Sequence, residues 1–293
     1  MSDAPETDAD TGAVDSNVVL AVESLTKTFP LRGIARADGS RVLTAVDDVS
    51  LSLHDGEILG LAGGSGSGKT TLARCIIRLV EPDRGSVRLG GVDVLAARGS
   101  QLRSLRRRIQ MVFQDPYASL NPRLTVGKAL AEVANVHDRL SGADPDAFVG
   151  DLLQQVRLSP RIASRRPSEL SGGQRQRVAI ARALATGPDV LIADEAVSAL
   201  DVSVQAQLLD LFLDLRDEVG LSILFVGHQL AVLAAVADRV AVMQHGRIVE
   251  VGETAAMFRA PRHDYTKALL DAHPHADPRR RFATEPTSDQ GTA

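Results

Sequence analysis

Cysteine occurs once in this 293-residue sequence, at position 75. A single thiol excludes an internal disulfide and a cysteine-held metal cluster, and it fits a reducing compartment. No run of about 18 apolar residues occurs, so no segment is expected to span a membrane. The opening stretch MSDAPETDADTGAVDSN has no apolar core and is not expected to be a signal peptide. Any membrane role would then come through a partner. An excess of one charge is also lacking. The 33 basic and 37 acidic residues leave a net charge of −4, without the basic surplus of nucleic-acid binders. The basic run RSLRRR (103–108) reads as a solvated face, because aromatic residues are scarce, at 3% of the chain. No nucleic-acid partner is expected. His263, His273 and His275 lack ligand spacing within one helix and are assigned no metal.

What is present is a core. Hydrophobic residues make up 44% of the chain, so a full core can be buried, and the length suffices for one large domain or two small ones. Residues 1–17 are expected to be a disordered acidic tail, and the end from about Asp277 similar, since such composition cannot offset ordering entropy. No internal repeat is visible. VVLAVESL (18–25) and VDDVSLSL (46–53) alternate as half-buried strands do. EILGLAG (57–63), VLIAD (190–194) and SILFVG (222–227) are apolar runs of the kind found in buried parallel strands. TTLARCIIRLV (70–80) has Leu72, Ile76 and Leu79 on one helical face. VSVQAQLLDLFLDLRDEV (202–219) predicts a helix ending at Gly220. Strands alternating with helices predict a parallel α/β sheet. The stretch from about Asp115 to Leu170 lacks strand signals and reads as a helical insertion.

GGSGSGKT (63–70) matches G-x-x-x-x-G-K-[ST], with a buried strand before it and an amphipathic helix after. Gly63, Gly64, Gly66 and Gly68, with Ser65 and Ser67 between them, let the backbone wrap closely and aim N–H groups at phosphate oxygens. The helix start after Gly68, through Thr71, adds a positive dipole end. Lys69 supplies a point charge for the β- and γ-phosphates. The Thr70 hydroxyl is a hard oxygen ligand for Mg²⁺. ATP and Mg²⁺ are the expected cofactors. VLIADE (190–195) would deliver two carboxylates to the carboxyl edge of the sheet, where ligands bind. Asp194 is read as a metal partner. Glu195, pointing elsewhere, is read as the base for an attacking water.

LSGGQRQR (170–177) opens another helix with Ser171, Gly172, Gly173 and Gln174, a second anion site. One ATP does not need two such sites from one chain, which points to a dimer sharing them. With these motifs the chain resembles the ABC nucleotide-binding domains, from about Val18 to Pro274. The resemblance implies a P-loop NTPase (RecA-like) parallel sheet core with an antiparallel β subdomain and a helical insertion. Its expected boundaries are a nucleotide-binding domain at 18–258, holding the insertion at about 115–175, and an extension at 259–293. It also implies roles: Gln114 as the Q-loop glutamine that senses Mg²⁺, Asp201 of SALD at the dimer interface, His228 as the switch histidine near the γ-phosphate, and Phe29 stacked on adenine.

QDPYASLNPR (114–123) and PRHDYTKALLDAHP (261–274) resemble hallmarks of oligopeptide/dipeptide importer ATPases. The resemblance implies a peripheral subunit on the cytoplasmic face of the membrane. Its implied partners are a second ATPase, as another copy or a related chain, two transmembrane permease subunits, and indirectly an extracytoplasmic solute-binding protein. The chain departs from the family at Gly64, where Glu is frequent, and at Ala196-Val197, where Pro-Thr is. Gly227 and Gln229 stand where Ser/Thr and Asp are usual. Nickel or another small solute, a soluble non-transport ABC ATPase, and a nucleotide sensor without turnover stay open as alternatives.

Overall fold

The computed structural model of the chain describes residues 17–31, 41–115, 120–140, 142, 144–198 and 200–272. The expected acidic tail lies outside these residues, apart from Asn17, as do the end from Asp277, His273, His275 and parts of two motifs (116–119 and 199).

Two sheets build the molecule. The larger contains β3 (Ile58–Ala62), β6 (Ile109–Val112), β7 (Val190–Asp194), β8 (Ser222–Val226), β9 (Arg239–Gln244) and β10 (Arg247–Glu253). Its order is β10-β9-β3-β8-β7-β6, parallel except for β10, which returns antiparallel on β9. The central strands β3, β7 and β8 are buried at every position because both faces are covered, whereas the edge strand β10 is polar and part-exposed; alternate residues of the inner strands feed two separate cores. Ile58, Leu191, Ala193, Ile223 and Phe225 enter one core. Leu59, Leu61, Val190, Ile192, Leu224 and Val226 enter the other.

The smaller sheet has the order β2-β1-β4-β5, from β1 (Val18–Pro30), β2 (Val42–His54), β4 (Arg84–Leu89) and β5 (Val92–Asp93). All its pairings are antiparallel. Both alternating segments of the sequence fall in it, and their inward residues Leu20, Val22, Leu51 and Leu53 join the second core.

Helices cover the large sheet. α1 (Lys69–Ile76) and α2 (Gly99–Arg108) are followed by α3 (Val126–Val136) and α4 (Pro145–Gln155). Two short 3-10 turns, Pro160–Ser164 and Pro167–Glu169, lead into α5 (Gly172–Leu184). The described part of the expected insertion holds no strand. α6 (Val202–Val219) matches the predicted helix at both ends, and Gly220 closes it in a left-handed conformation at φ 73°. Its Phe212 meets Phe225 of β8 edge-on, with ring centroids 5.2 Å apart. α7 (Leu230–Val236), α8 (Thr254–Arg259) and α9 (Asp264–Asp271) are the last helices among the described residues. Among the described residues no helix is long and apolar enough to cross a membrane.

Two expectations need correction. α1 stops at Ile76, so Leu79 does not share its buried face and is 55% exposed. The cause is a closing turn: Arg78 takes φ 56°, its N–H donates to the Cys75 carbonyl, and the Leu79 N–H donates to the Arg74 carbonyl. The Arg78 guanidinium offsets that conformation by donating to Glu81 and to the Ala97 carbonyl. The run RSLRRR is only in part a solvated face. Arg106 donates to the Arg78 carbonyl at 2.8 Å, and Arg108 Nε to Asp189 Oδ2 at 2.6 Å, pinning α2 to its neighbours.

Candidate nucleotide-binding site

The register of the large sheet assembles the site. Leu61 of β3 and Asp194 of β7 both lie level with Val226 of β8. The three carboxyl ends therefore stop together. The glycine loop leaves two residues after Leu61, Glu195 follows Asp194, and His228 lies two residues past Val226. This is the edge where open α/β sheets bind ligands.

The loop owes its shape to crowding. Gly63 at φ 153° and Gly68 at φ 109° have backbone conformations that side chains rarely adopt. A side chain on Gly63 would collide with the Met243 carbonyl, and one on Gly68 with the Ala45 carbonyl. Gly68 caps α1 with no side-chain hydrogen bond, which leaves the first amides of that helix for a ligand. Lys69 is buried, and its Nζ donates to the carbonyls of Gly63 at 2.8 Å and Gly64 at 2.9 Å. Burial pushes its ammonium below the ordinary lysine range, against the pull of Glu195 and Asp194.

The carboxylates sit differently from each other. Asp194 is 4% exposed, and its Oδ1 accepts from Thr70 Oγ1 at 3.1 Å. Burial holds its carboxyl above the usual range; the Thr70 hydrogen bond opposes that rise and Glu195 adds to it. Glu195 adopts φ 49°, a left-handed conformation uncommon outside glycine, while its N–H donates to the Val226 carbonyl at 2.9 Å. That bend turns it out of the strand, and its Oε1 lies 3.3 Å from Nδ1 of the exposed His228. Strained non-glycine residues cluster where function holds them.

A cleft of about 610 Å³ is lined by Phe29, Ser65, Gly66, Gly68, Lys69, Thr70, Thr71 and Glu195. Phe29 and the loop, 34 residues or more apart in sequence, thus share one cavity. Lys27 Nζ lies 5.4 Å from the centre of the Phe29 ring. Sequence reasoning missed Leu43, Thr44, Ala45, Asp47 and His245, which complete the wall. No motif marks them. The β9–β10 turn carrying His245 is tied in by Gly246, whose N–H donates to the Ser67 carbonyl at 2.9 Å. Gln114 is exposed just beyond β6, and Asp201 is the exposed residue before α6, whose side chain makes no capping hydrogen bond. Neither Gln114, Asp201 nor the Ser171 turn lines the cleft.

Ser171 caps α5 in a reciprocal arrangement. Its Oγ accepts from Gln174 N at 3.3 Å, and Gln174 Oε1 accepts from Ser171 N at 3.1 Å. Ser171 and Gly172 are exposed, whereas Gly173 is buried against Val204.

Residues 46–198 match the family model described as ABC transporter, and residues 249–292 match the C-terminal region of oligopeptide/dipeptide transporters. A probable peptide ABC transporter ATP-binding protein of Sinorhizobium fredii is 51% identical over 90% of this chain and 75% of its own length. The chain belongs to the ABC transporter family. It is an ATP-binding cassette of the ATP-hydrolysing type. The glutathione import ATP-binding protein of Escherichia coli is 48% identical over 92% of this chain, which spans 43% of that relative's length. Among solved structures, a dimeric bacterial ABC transporter cassette superposes with a TM-score of 0.68 at 30% identity, covering 80% of this chain and 98% of that one. A cassette from Clostridium perfringens, part of an ABC transporter complex, gives a TM-score of 0.71 at 25% identity, covering 88% of this chain and 96% of that one.

Proposed function

We propose that this cassette energises an importer for oligopeptides or dipeptides, working as a peripheral subunit on the cytoplasmic face of the membrane. The observation carrying the solute class is the C-terminal match at residues 249–292, supported by the 51% identical relative named for peptides. The relatives named for glutathione fit the same class, since glutathione is itself a small peptide. The proposed partners are a second cassette, as a copy or a related chain, two permease subunits and an extracytoplasmic solute-binding protein.

In the proposed cycle two cassettes close over two ATP molecules. Each nucleotide lies between one chain's loop at 63–70 and the other chain's Ser171, Gly172 and Gly173. Phe29 stacks on the base, and Lys69 leaves the Gly63 and Gly64 carbonyls for the β- and γ-phosphates. The donor set at Thr70 and Asp194 fits a hard divalent cation: two oxygens 3.1 Å apart, one on a carboxyl whose burial calls for a counter-charge. Thr70 and Asp194, joined by Gln114 in the proposed closed state, would hold Mg²⁺, which would neutralise charge on the transferred group. Glu195, bent out of the strand, orients a water in line with the γ-phosphate and accepts its proton as the bond to ADP breaks. His228 holds the Glu195 carboxylate and meets the γ-phosphate. Asp201 lies at the seam between the two cassettes.

The test is Glu195→Gln in the assembled complex. Turnover is expected to fall by about 10²- to 10⁴-fold with ATP binding retained. Near wild-type phosphate release would remove Glu195 from the base role. For the solute, ATPase stimulation by binding protein loaded with peptide rather than nickel supports the peptide reading; the reverse preference defeats it.

A further inference from the structure

We infer that Tyr265 is a positioning residue for the phosphate loop, and that α9, near the end of the chain, braces the nucleotide site. The inference rests on the nucleotide reading of that loop. Gly64 N–H donates to the Tyr265 hydroxyl at 2.9 Å, across 201 residues of sequence. The carbonyl of the same residue accepts from Lys69 Nζ at 2.9 Å and from Ser67 N at 3.2 Å. Gly64 is therefore held on both sides, by Tyr265 at its amide and by the loop itself at its carbonyl. When Lys69 turns to a phosphate, the carbonyl loses its ammonium, and the grip of Tyr265 on the amide remains.

The glycine at 64 fits this role. Gly63, Gly66 and Gly68 have positive φ, but Gly64 does not, so its backbone does not call for glycine. What glycine leaves there is room: a Cβ would lie 3.1 Å from the Tyr265 hydroxyl. The hydroxyl is itself held in place. Tyr265 is half-buried against the core, and its own N–H donates to His263 Nδ1 at 3.1 Å. The amides of Arg262 and His263 donate to the Glu250 carboxylate of β10 at 2.9 and 3.0 Å. A continuous chain of contacts thus joins β10, the start of α9 and the second glycine of the loop. By linkage, a nucleotide that settles the loop also tightens the seating of α9, and releasing α9 weakens nucleotide binding by the same factor.

The test uses the full chain and a fluorescent ATP analogue, beside turnover of the assembled complex. Tyr265→Phe keeps the ring and removes only the hydroxyl. It is expected to raise the Kd about three- to tenfold, the effect of one part-buried hydrogen bond. KM should rise by a similar factor and kcat stay within about twofold, because the hydroxyl touches no reacting atom. Gly64→Ala, which crowds the hydroxyl without straining the backbone, should raise the Kd similarly, and the double variant should add little. In the wild type, analogue binding should slow amide exchange across α9, and in Tyr265→Phe it should not. Wild-type affinity in Tyr265→Phe, with binding lost in Lys69→Ala, would overturn the brace and leave the nucleotide reading standing. A wild-type chain that bound analogue no better than Lys69→Ala would overturn both.

Discussion

Two glycine-bearing helix starts in this chain look alike in sequence and differ in structure. At α1 the residue before the helix is Gly68, in a left-handed conformation and without a side-chain cap. Around it Lys69, Thr70, Asp194 and Glu195 converge within one chain. At α5 the helix is closed by its own capping box, and its exposed Ser171 and Gly172 do not line the nucleotide cleft. An uncapped helix start inside a cleft keeps its amides for a ligand of the same chain. A capped and exposed start is a finished piece of fold, and its remaining amides and serine are available to a group brought by another molecule. Under the proposed cycle the first is a site, and the second is half of one.

The comparison breaks or holds on a pair of variants. Lys69→Ala should lose nucleotide binding in the isolated chain. Ser171→Glu, which sets a carboxylate toward the proposed γ-phosphate position, should leave that binding within about twofold yet cut turnover of the assembled complex by about 100-fold or more. Equilibrium binding on the single chain, followed by phosphate release on the complex, separates the two. If Ser171→Glu weakened binding in the single chain as much as Lys69→Ala does, both helix starts would serve one nucleotide in one chain.

A smaller effect sharpens the same contrast in stability. Gly68→Ala forces a side chain into a left-handed position and against the Ala45 carbonyl, at a cost of about 2–4 kcal/mol. Gly172→Ala meets only Leu200 at 3.6 Å, an ordinary contact, and should change stability by less than about 0.5 kcal/mol. Denaturant unfolding of both variants measures the difference. Equal destabilisation would mean that Gly172 is as constrained as Gly68.

What could be read from the sequence follows from how locally each feature is encoded. The strands β3, β7 and β8 and the helix α6 were legible because burial on both faces, or a glycine stop, writes a pattern within a few residues. The loop at 63–70 and the carboxylates Asp194 and Glu195 stood out by residue type at fixed spacing, and the structure brings them to one sheet edge. The end of α1 was not, because Arg78 takes the left-handed turn usually given to glycine, stabilised by Glu81 and Ala97. His245 and Tyr265 were not, because each reaches the loop from a distant segment, and single residues carry no periodicity. The bend at Glu195 is a conformation rather than a residue type, so the sequence offers no sign of it.

The smallest expected effect concerns a third helix start at the same sheet edge. α7 begins after His228 with Gln229 as its cap, and that side chain makes no capping hydrogen bond. The backbone carbonyl of Gln229 already accepts from Val232 N at 3.1 Å, so the turn itself is formed. What is missing is a short side-chain acceptor for the first amides, which aspartate supplies and the longer glutamine does not. Gln229→Asp should therefore stabilise α7 by about 0.5–1 kcal/mol, a rise in Tm of about 1–3 °C for a chain of this size. Calorimetry or circular dichroism melting reads it. A Tm that stayed level or fell would mean that the first amides of α7 are already satisfied. α7 would then belong with the capped start at α5 rather than with the open start at Gly68.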